Sequence, residues 1–514
     1  MTAVWAAFLL ASQLAAVDYR IAGEVVNAAS GKPVAGARVA LAPIEGPGQR
    51  MSTLSGDDGR FAFPGLPRGK YELAGQRRGL LSGTLPGAIV VGPEQNADSI
   101  ILRLSPPAIL SGRVVDDAGE PVAQALVELL SSKIVDGRRQ LSRHSIKRTD
   151  DTGEYRFSSL AAGRYSIVVS GVPWYTRFNE TMGDAAPRAM THAGYGIRYY
   201  PNAADPAAAE PLILVAGQEA TANFTLPAVP AASVSVHCAA CESLTTKYTF
   251  TAEGLQAKPV SVRQGSASGD LYNLWGILPG HYTLRAEATD GSRVWYGASE
   301  FEVAGGDMDA TVTLQPAPSV SGEVVVESGG SLPAQLTVVL HDETGRSQPL
   351  GMGAGGRFST PAIPPGRYRV GISGASEYYL KNWSAEGGRR AGEMLDIPAG
   401  AAVRLTLSAV RAAGRIAGTV YRDRQPLAGA LVVLTPENRA VPSNSDGSFE
   451  FRGLPAGEYA VFAVEDGADL EYANPAAIRP YLGGAKKVRV PGSGSDNLRL
   501  DAGKTLAAGL PVKS

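Results

Sequence analysis

A strand-turn-strand signature occurs five times in this chain and leaves few folds open to it. It reads DDGRFAFPGLPRGKYEL at 57–73 and returns as DTGEYRFSSLAAGRYSI, GDLYNLWGILPGHYTL, GGRFSTPAIPPGRYRV and DGSFEFRGLPAGEYAV. The copies align without gaps around Tyr71, Tyr165, Tyr282, Tyr368 and Tyr459, each five residues after a Leu or Ile. Neighbouring tyrosines lie 94, 117, 86 and 91 residues apart, which is a domain-sized spacing. At 514 residues the chain is also too long for one hydrophobic core. Its 61 Gly and 35 Pro suit many short strands joined by tight turns.

The chemistry of the signature is structural. Phe61 and Phe63 alternate with polar or small neighbours, so they face one side of a strand. The repeated Tyr opens the next strand, and its hydroxyl is expected to reach backbone at the sheet corner. Gly69, Gly163, Gly280, Gly366 and Gly457 stand two residues before the Tyr, where a positive φ is expected. Ahead of this signature, four copies share a second one, as in IAGEVVNAASGKPVAGARVAL and LSGRVVDDAGEPVAQALVEL, which reads as strand, polar turn, strand. The third copy has VSVHCAACESLTTKYTFTAEG there and is divergent. Apolar strands such as DSIILRLSP close each unit, and Pro-containing junctions follow them.

The pattern resembles the carboxypeptidase regulatory-like domain, through G-x-V with P-V-x-G-A-x-V at 23–39 and D-G-x-F-x-F-x-x-L-P-x-G-x-Y at 58–71 and 446–459. The resemblance implies an all-β chain, a tandem array of five seven-stranded Ig-like or prealbumin-like (transthyretin-like) β-sandwich domains of a bacterial secreted type. The repeats place them at 18–106, 107–228 with an aromatic-rich insertion, 229–316 (divergent), 317–409 and 410–502, after a signal peptide at 1–17 and before a tail at 503–514. The collagen-adhesin B-type repeats of bacterial pili are similar too. Their Lys-to-Asn crosslink needs an Asn just before the turn Leu, where this chain has Pro64 and Gly65 or Ser158 and Ser159, so no isopeptide bond is expected.

The apolar stretch VWAAFLLASQLAA, followed by Asp18, Tyr19 and Arg20, reads as a secretory signal and points to a secreted or periplasmic protein. No later apolar run approaches the roughly 20 residues of a membrane span. With 48 Lys plus Arg against 49 Asp plus Glu, the net charge of −1 gives no broad field for nucleic acid.

Cys238 and Cys241 are the only cysteines, which rules out a four-Cys zinc site. A turn disulfide is the favoured reading in an oxidising compartment, with a free dithiol, a redox role or a metal site as alternatives. The acidic turns at Asp57-Asp58, Asp150-Asp151 and Asp446 suit tight hairpins before calcium. No G-x-S-x-G elbow, H-E-x-x-H pattern or phosphate loop occurs, and neither catalytic residues nor a cofactor nor a metal site is assigned.

A non-catalytic extracytoplasmic structural or interaction protein is therefore expected. A carbohydrate-binding protein and an accessory chain of a secreted enzyme are the alternatives. The segment after the repeated Tyr strand collects aromatics: Trp174, Tyr175, Tyr199 and Tyr200 in the second repeat, Trp295 in the third, and Tyr378, Tyr379 and Trp383 in the fourth. Flat rings there can stack on sugars, so these eight are candidate ligand residues, with a polysaccharide or a cell-surface protein as the partner. Capping of the open sandwich ends, or packing between domains, competes with that reading.

Overall fold

The computed structural model describes residues 19–44, 49–93, 97–174, 193–239, 241–252, 260–291, 293–327, 332–342, 346–375, 377–412, 414–491 and 501–502. It is a tandem array of β-sandwiches. In the first repeat, Tyr19–Asn27 lies between Arg60–Leu66, to which it is antiparallel, and Ala97–Leu104, to which it is parallel. The facing sheet is ordered Met51–Leu54, Arg38–Pro43, Gly69–Gln76, with Gly83–Thr84 and Ile89–Val91 on its far edge. Alternation puts Ile21, Val25, Phe61 and Phe63 on one inner face and Val39, Leu41, Tyr71 and Leu73 on the other, all buried. Each such side chain contributes about 1.5–3 kcal/mol by leaving water.

The same arrangement recurs. The main cores draw on residues 21–104, 108–226, 232–314, 320–409 and 416–490, so each repeat closes on its own apolar side chains. The parallel closing strand explains the Gly of G-x-V. A Cβ on Gly23 or Gly322 would collide with the backbone carbonyl of Ile100 or Leu405 on that strand, and one on Gly112 with that of Ala222, between the closing segments Glu219–Thr221 and Phe224–Leu226. The third repeat has Val236 at this register position, opposite Tyr272, which marks its divergence.

Two repeats add elements that their sequences do not announce. In the fourth, Tyr378–Glu386 leaves the Tyr-bearing sheet and pairs with the closing strand Ala402–Arg411 of the other sheet, with a bulge between Leu380 and Asn382. In the fifth, the helix Pro475–Leu482 starts at Asn474, whose side chain accepts from the Ala476 N–H, with Pro at the first turn. Ile478 and Tyr481 cover Val433 and Phe462, and the rings of Tyr481 and Phe462 stack 5.6 Å apart.

The array also folds back on itself, because the fifth repeat touches the first and the second. Ser445 N–H donates to the Ala88 carbonyl at 2.9 Å, Ala88 N–H to Asn444 Oδ1 at 3.2 Å, and Val90 N–H to Ser445 Oγ at 2.9 Å. From the second repeat, the long hairpin Leu126–Val135 and Arg138–Arg148 reaches the segment 469–473. Ala473 N–H donates to the Gly137 carbonyl at 2.9 Å, while Arg139 Nε meets Glu471 at 3.1 Å and its Nη2 donates to the Asp469 carbonyl at 3.1 Å. Gly137 sits at φ 74°, and a Cβ there would lie 2.5 Å from the Tyr472 ring.

Candidate functional site

The signature tyrosine is a corner in all five repeats. Its hydroxyl donates to the carbonyl four residues earlier: Tyr71 to Pro67 (2.8 Å), Tyr165 to Ala161 (2.9 Å), Tyr282 to Leu278 (2.8 Å), Tyr368 to Pro364 (2.6 Å) and Tyr459 to Pro455 (2.7 Å). The ring fills the core while the oxygen closes the turn between two strands. Burial, before any neighbouring charge, pushes the phenols of Tyr282, Tyr368 and Tyr459 up to about 12 and raises those of Tyr71 and Tyr165.

A second hydroxyl, sixteen residues before the tyrosine, was not visible as a site in the sequence. Ser55 Oγ donates to the Val34 carbonyl (2.6 Å) and accepts from Ala37 N–H (2.9 Å). Thr149 does the same between Val122 and Ala125, and Ser443 between Leu427 and Ala430. All three are buried, so each satisfies two backbone groups that water cannot reach. The signal was a Ser or Thr at a fixed offset, present in the first, second and fifth repeats and, as Ser266, in the third; the fourth has Met352 there.

The acidic turns bind their own backbone. Asp150 Oδ1 accepts from the Thr152 N–H, the Thr152 hydroxyl and the Glu154 N–H, and these bonds hold its carboxyl below the usual range. Asp58 and Asp446 accept from Arg60 N–H and Ser448 N–H. Among the described residues, no three His, Cys, Asp or Glu side chains gather where a metal could sit.

The signature carries a further left-handed glycine besides the one two residues before the tyrosine. Gly59, Gly153, Gly356 and Gly447, twelve residues ahead of it, have φ of 74–77°. A Cβ on Gly59 would press on the Val25 carbonyl at 2.7 Å. The expectation of positive φ holds for Gly163, Gly280 and Gly366, at 152–157°, and fails for Gly69 and Gly457. A Cβ at Gly69 would meet only its own Tyr71 ring, at an ordinary 3.7 Å.

The seven candidate aromatics among the described residues do not form one platform. Tyr199 is 2% exposed, packed with Leu141 and Val168 on the outer side of its sheet, and Trp383 is 4% exposed because the sheet-switching strand turns it into the fourth core. Burial withdraws both from any ligand. Tyr200, Trp295 and Tyr378 pack half-buried against the cores of their repeats, and Tyr379 is half-buried. Trp295 and Trp383 also carry Arg293 and Arg390 over their rings, at 5.2 and 4.3 Å. Trp174 is 70% exposed, and Tyr175 lies outside the described residues. Cys238 and Cys241 are joined to each other at the end of the first strand of the third repeat, both buried.

The family model for the carboxypeptidase regulatory-like domain matches residues 20–103, 109–191 and 415–489, and that for a prealbumin-like fold domain matches 219–324. No curated protein matches. Among solved structures, the TIE protein of Bacillus anthracis is 13% identical, with a TM-score of 0.18 over 77% of this chain and 74% of that one. The minor pilin GBS52 of Streptococcus agalactiae is 14% identical, with a TM-score of 0.22 over 41% of this chain and 97% of that one. The shaft pilin SpaA of Lactobacillus rhamnosus GG is 11% identical, with a TM-score of 0.20 over 42% and 98%. TM-scores this low mark local likeness only.

Proposed function

Because the chain is a β-sandwich repeat protein of the carboxypeptidase regulatory-like type, we propose that it acts as a non-catalytic extracytoplasmic scaffold that holds interaction surfaces in fixed relative positions. The observation that carries this reading is the grip of the first and second repeats on the fifth, through backbone hydrogen bonds at Ala88 and Gly137. Independent modules on short junctions move freely unless such an interface ties them. The shared chemistry of the repeats supports it as well: the tyrosine and Ser/Thr hydroxyls bond the backbone of their own repeat. No helix among the described residues is long and apolar enough to cross a membrane.

Fractionation of cells expressing a C-terminally tagged chain, with intact-mass measurement of the product, tests the reading. The tagged protein is expected outside the cytoplasm with its first residue near Asp18. Cytoplasmic retention of the uncleaved chain refutes it.

A further inference from the structure

The outer face of the second repeat gathers four cations at positions where its siblings have no Lys or Arg. A solvent-facing groove of about 690 Å³ crosses its first sheet, lined by Arg113 and Arg156 from that sheet and by Lys147 and Arg148 from the edge of the other. Arg156, Ser111 and Thr221 form one row across three strands, with Glu154 and Arg113 paired beside it. Gly112 lies on the floor. A similar groove of about 860 Å³ lies over Gly322 in the fourth repeat, so the hollow belongs to the fold.

This set of four cations does not, although the fourth-repeat groove has Arg357 and Arg404 elsewhere in its lining. At the positions of Lys147, Arg148 and Arg156, counted back from the signature tyrosine, the first repeat has Thr53, Leu54 and Ala62, and the third has Gln264, Gly265 and Asn273. The fourth has Leu350, Gly351 and Ser359, and the fifth has Val441, Pro442 and Glu450. Opposite the start of the same strand, Arg113 is matched by Glu24, His237, Glu323 and Thr419. Four sandwiches of this type thus close without a Lys or Arg at any of these positions.

The four cations are under-compensated. Asp150 and Glu154 are the carboxylates of the groove, and Asp150 is engaged by its own turn. Lys147 and Arg156 make no ion pair or side-chain hydrogen bond among the described residues. Arg113 and Arg148 are steadied by the carbonyls of Thr152 (3.0 Å) and Gln124 (3.3 Å), which hold each guanidinium without neutralising it. Arg148, Leu126 and Ser170 share a row, so the exposed Trp174, four residues past Ser170, leaves the sheet at the end where Arg148 sits.

We propose that this groove binds an acidic polysaccharide, with carboxylate or sulfate groups paired to Arg113, Lys147, Arg148 and Arg156. Guanidinium groups suit such anions because two N–H donors meet two oxygens at once. This step is independent of the scaffold reading, which a chain without any glycan ligand would still satisfy.

Calorimetric titration of the full chain tests it with a sulfated octasaccharide, an oligogalacturonate, an uncharged cello-oligosaccharide and a single-stranded oligodeoxynucleotide, at low and moderate salt. Binding of an acidic sugar that weakens with salt is expected, and the Lys147→Gln/Arg156→Gln variant is expected to weaken it about tenfold to a hundredfold. Arg404→Gln, in the matching groove of the fourth repeat, serves as a control and should leave it unchanged. Absence of binding, equal binding of the uncharged sugar, tighter binding of the oligodeoxynucleotide, or an unaffected double variant of unchanged melting temperature each overturns the proposal.

Discussion

Tyr368 donates its hydroxyl to the carbonyl of Pro364 at 2.6 Å, and the same bond across four residues is made by the tyrosine of every other repeat. One residue thus does two jobs: its ring fills the sandwich, and its oxygen ties the turn that leads into its own strand.

The two jobs separate by mutation. Tyr368→Ala is expected to destabilise the fourth repeat by about 3–5 kcal/mol, the cost of emptying a large aromatic site. Tyr368→Phe keeps the ring and loses the bond, for about 0.5–1.5 kcal/mol. Urea unfolding of the full chain reads both. Equal effects from the two substitutions would assign the tyrosine to the hydrogen bond alone.

The raised phenols make the chain sensitive to alkali. An unfolded tyrosine ionises near 10, whereas burial holds Tyr282, Tyr368 and Tyr459 protonated up to about 12. In this window the unfolded chain binds fewer protons than the native one, so stability falls as pH rises. It is fully present below pH 10 and is lost through about pH 12. Melting temperature against pH, followed with phenolate absorbance, should show both changes together, and Tyr→Phe at these three positions should flatten the decline. A curve unchanged by the triple substitution contradicts it.

Glycine and hydroxyl positions give a graded series in the first two repeats. Gly59→Ala places a Cβ on a left-handed residue against the Val25 carbonyl and should cost more than the roughly 0.4–1 kcal/mol that an unstrained glycine replacement gains, with Gly69→Ala near neutral. Thr149→Val leaves the Ala125 N–H and the Val122 carbonyl buried without partners, for about 1–3 kcal/mol. Melting of the three variants against the parent chain checks the order. Gly69→Ala as damaging as Gly59→Ala would contradict it.

The repeats, the two-sheet fold and the tyrosine corner were legible because each rests on short-range pattern: alternating Phe61 and Phe63, a Gly-containing turn, one Tyr at constant offset. The aromatic segments were not. The bulge between Leu380 and Asn382 breaks the alternation that would have marked a strand and an inward Trp383. Tyr481 lies on an eight-residue helix that contains Pro480, too short and too Pro-rich to read as helical. The buried Ser55, Thr149 and Ser443 look like ordinary polar residues ahead of a turn until their two backbone partners are seen. The contact of Gly137 with Tyr472 joins surfaces remote in sequence, and no periodicity encodes such a meeting.

That contact also offers the most direct test of the scaffold. Small-angle scattering of the full chain should give one compact particle, and the Gly137→Val/Arg139→Glu variant should show a larger radius of gyration and maximum dimension while every repeat stays folded by circular dichroism. An extended, flexible profile for the unmodified chain, indistinguishable from that of the variant, would contradict a scaffold closed by its fifth repeat.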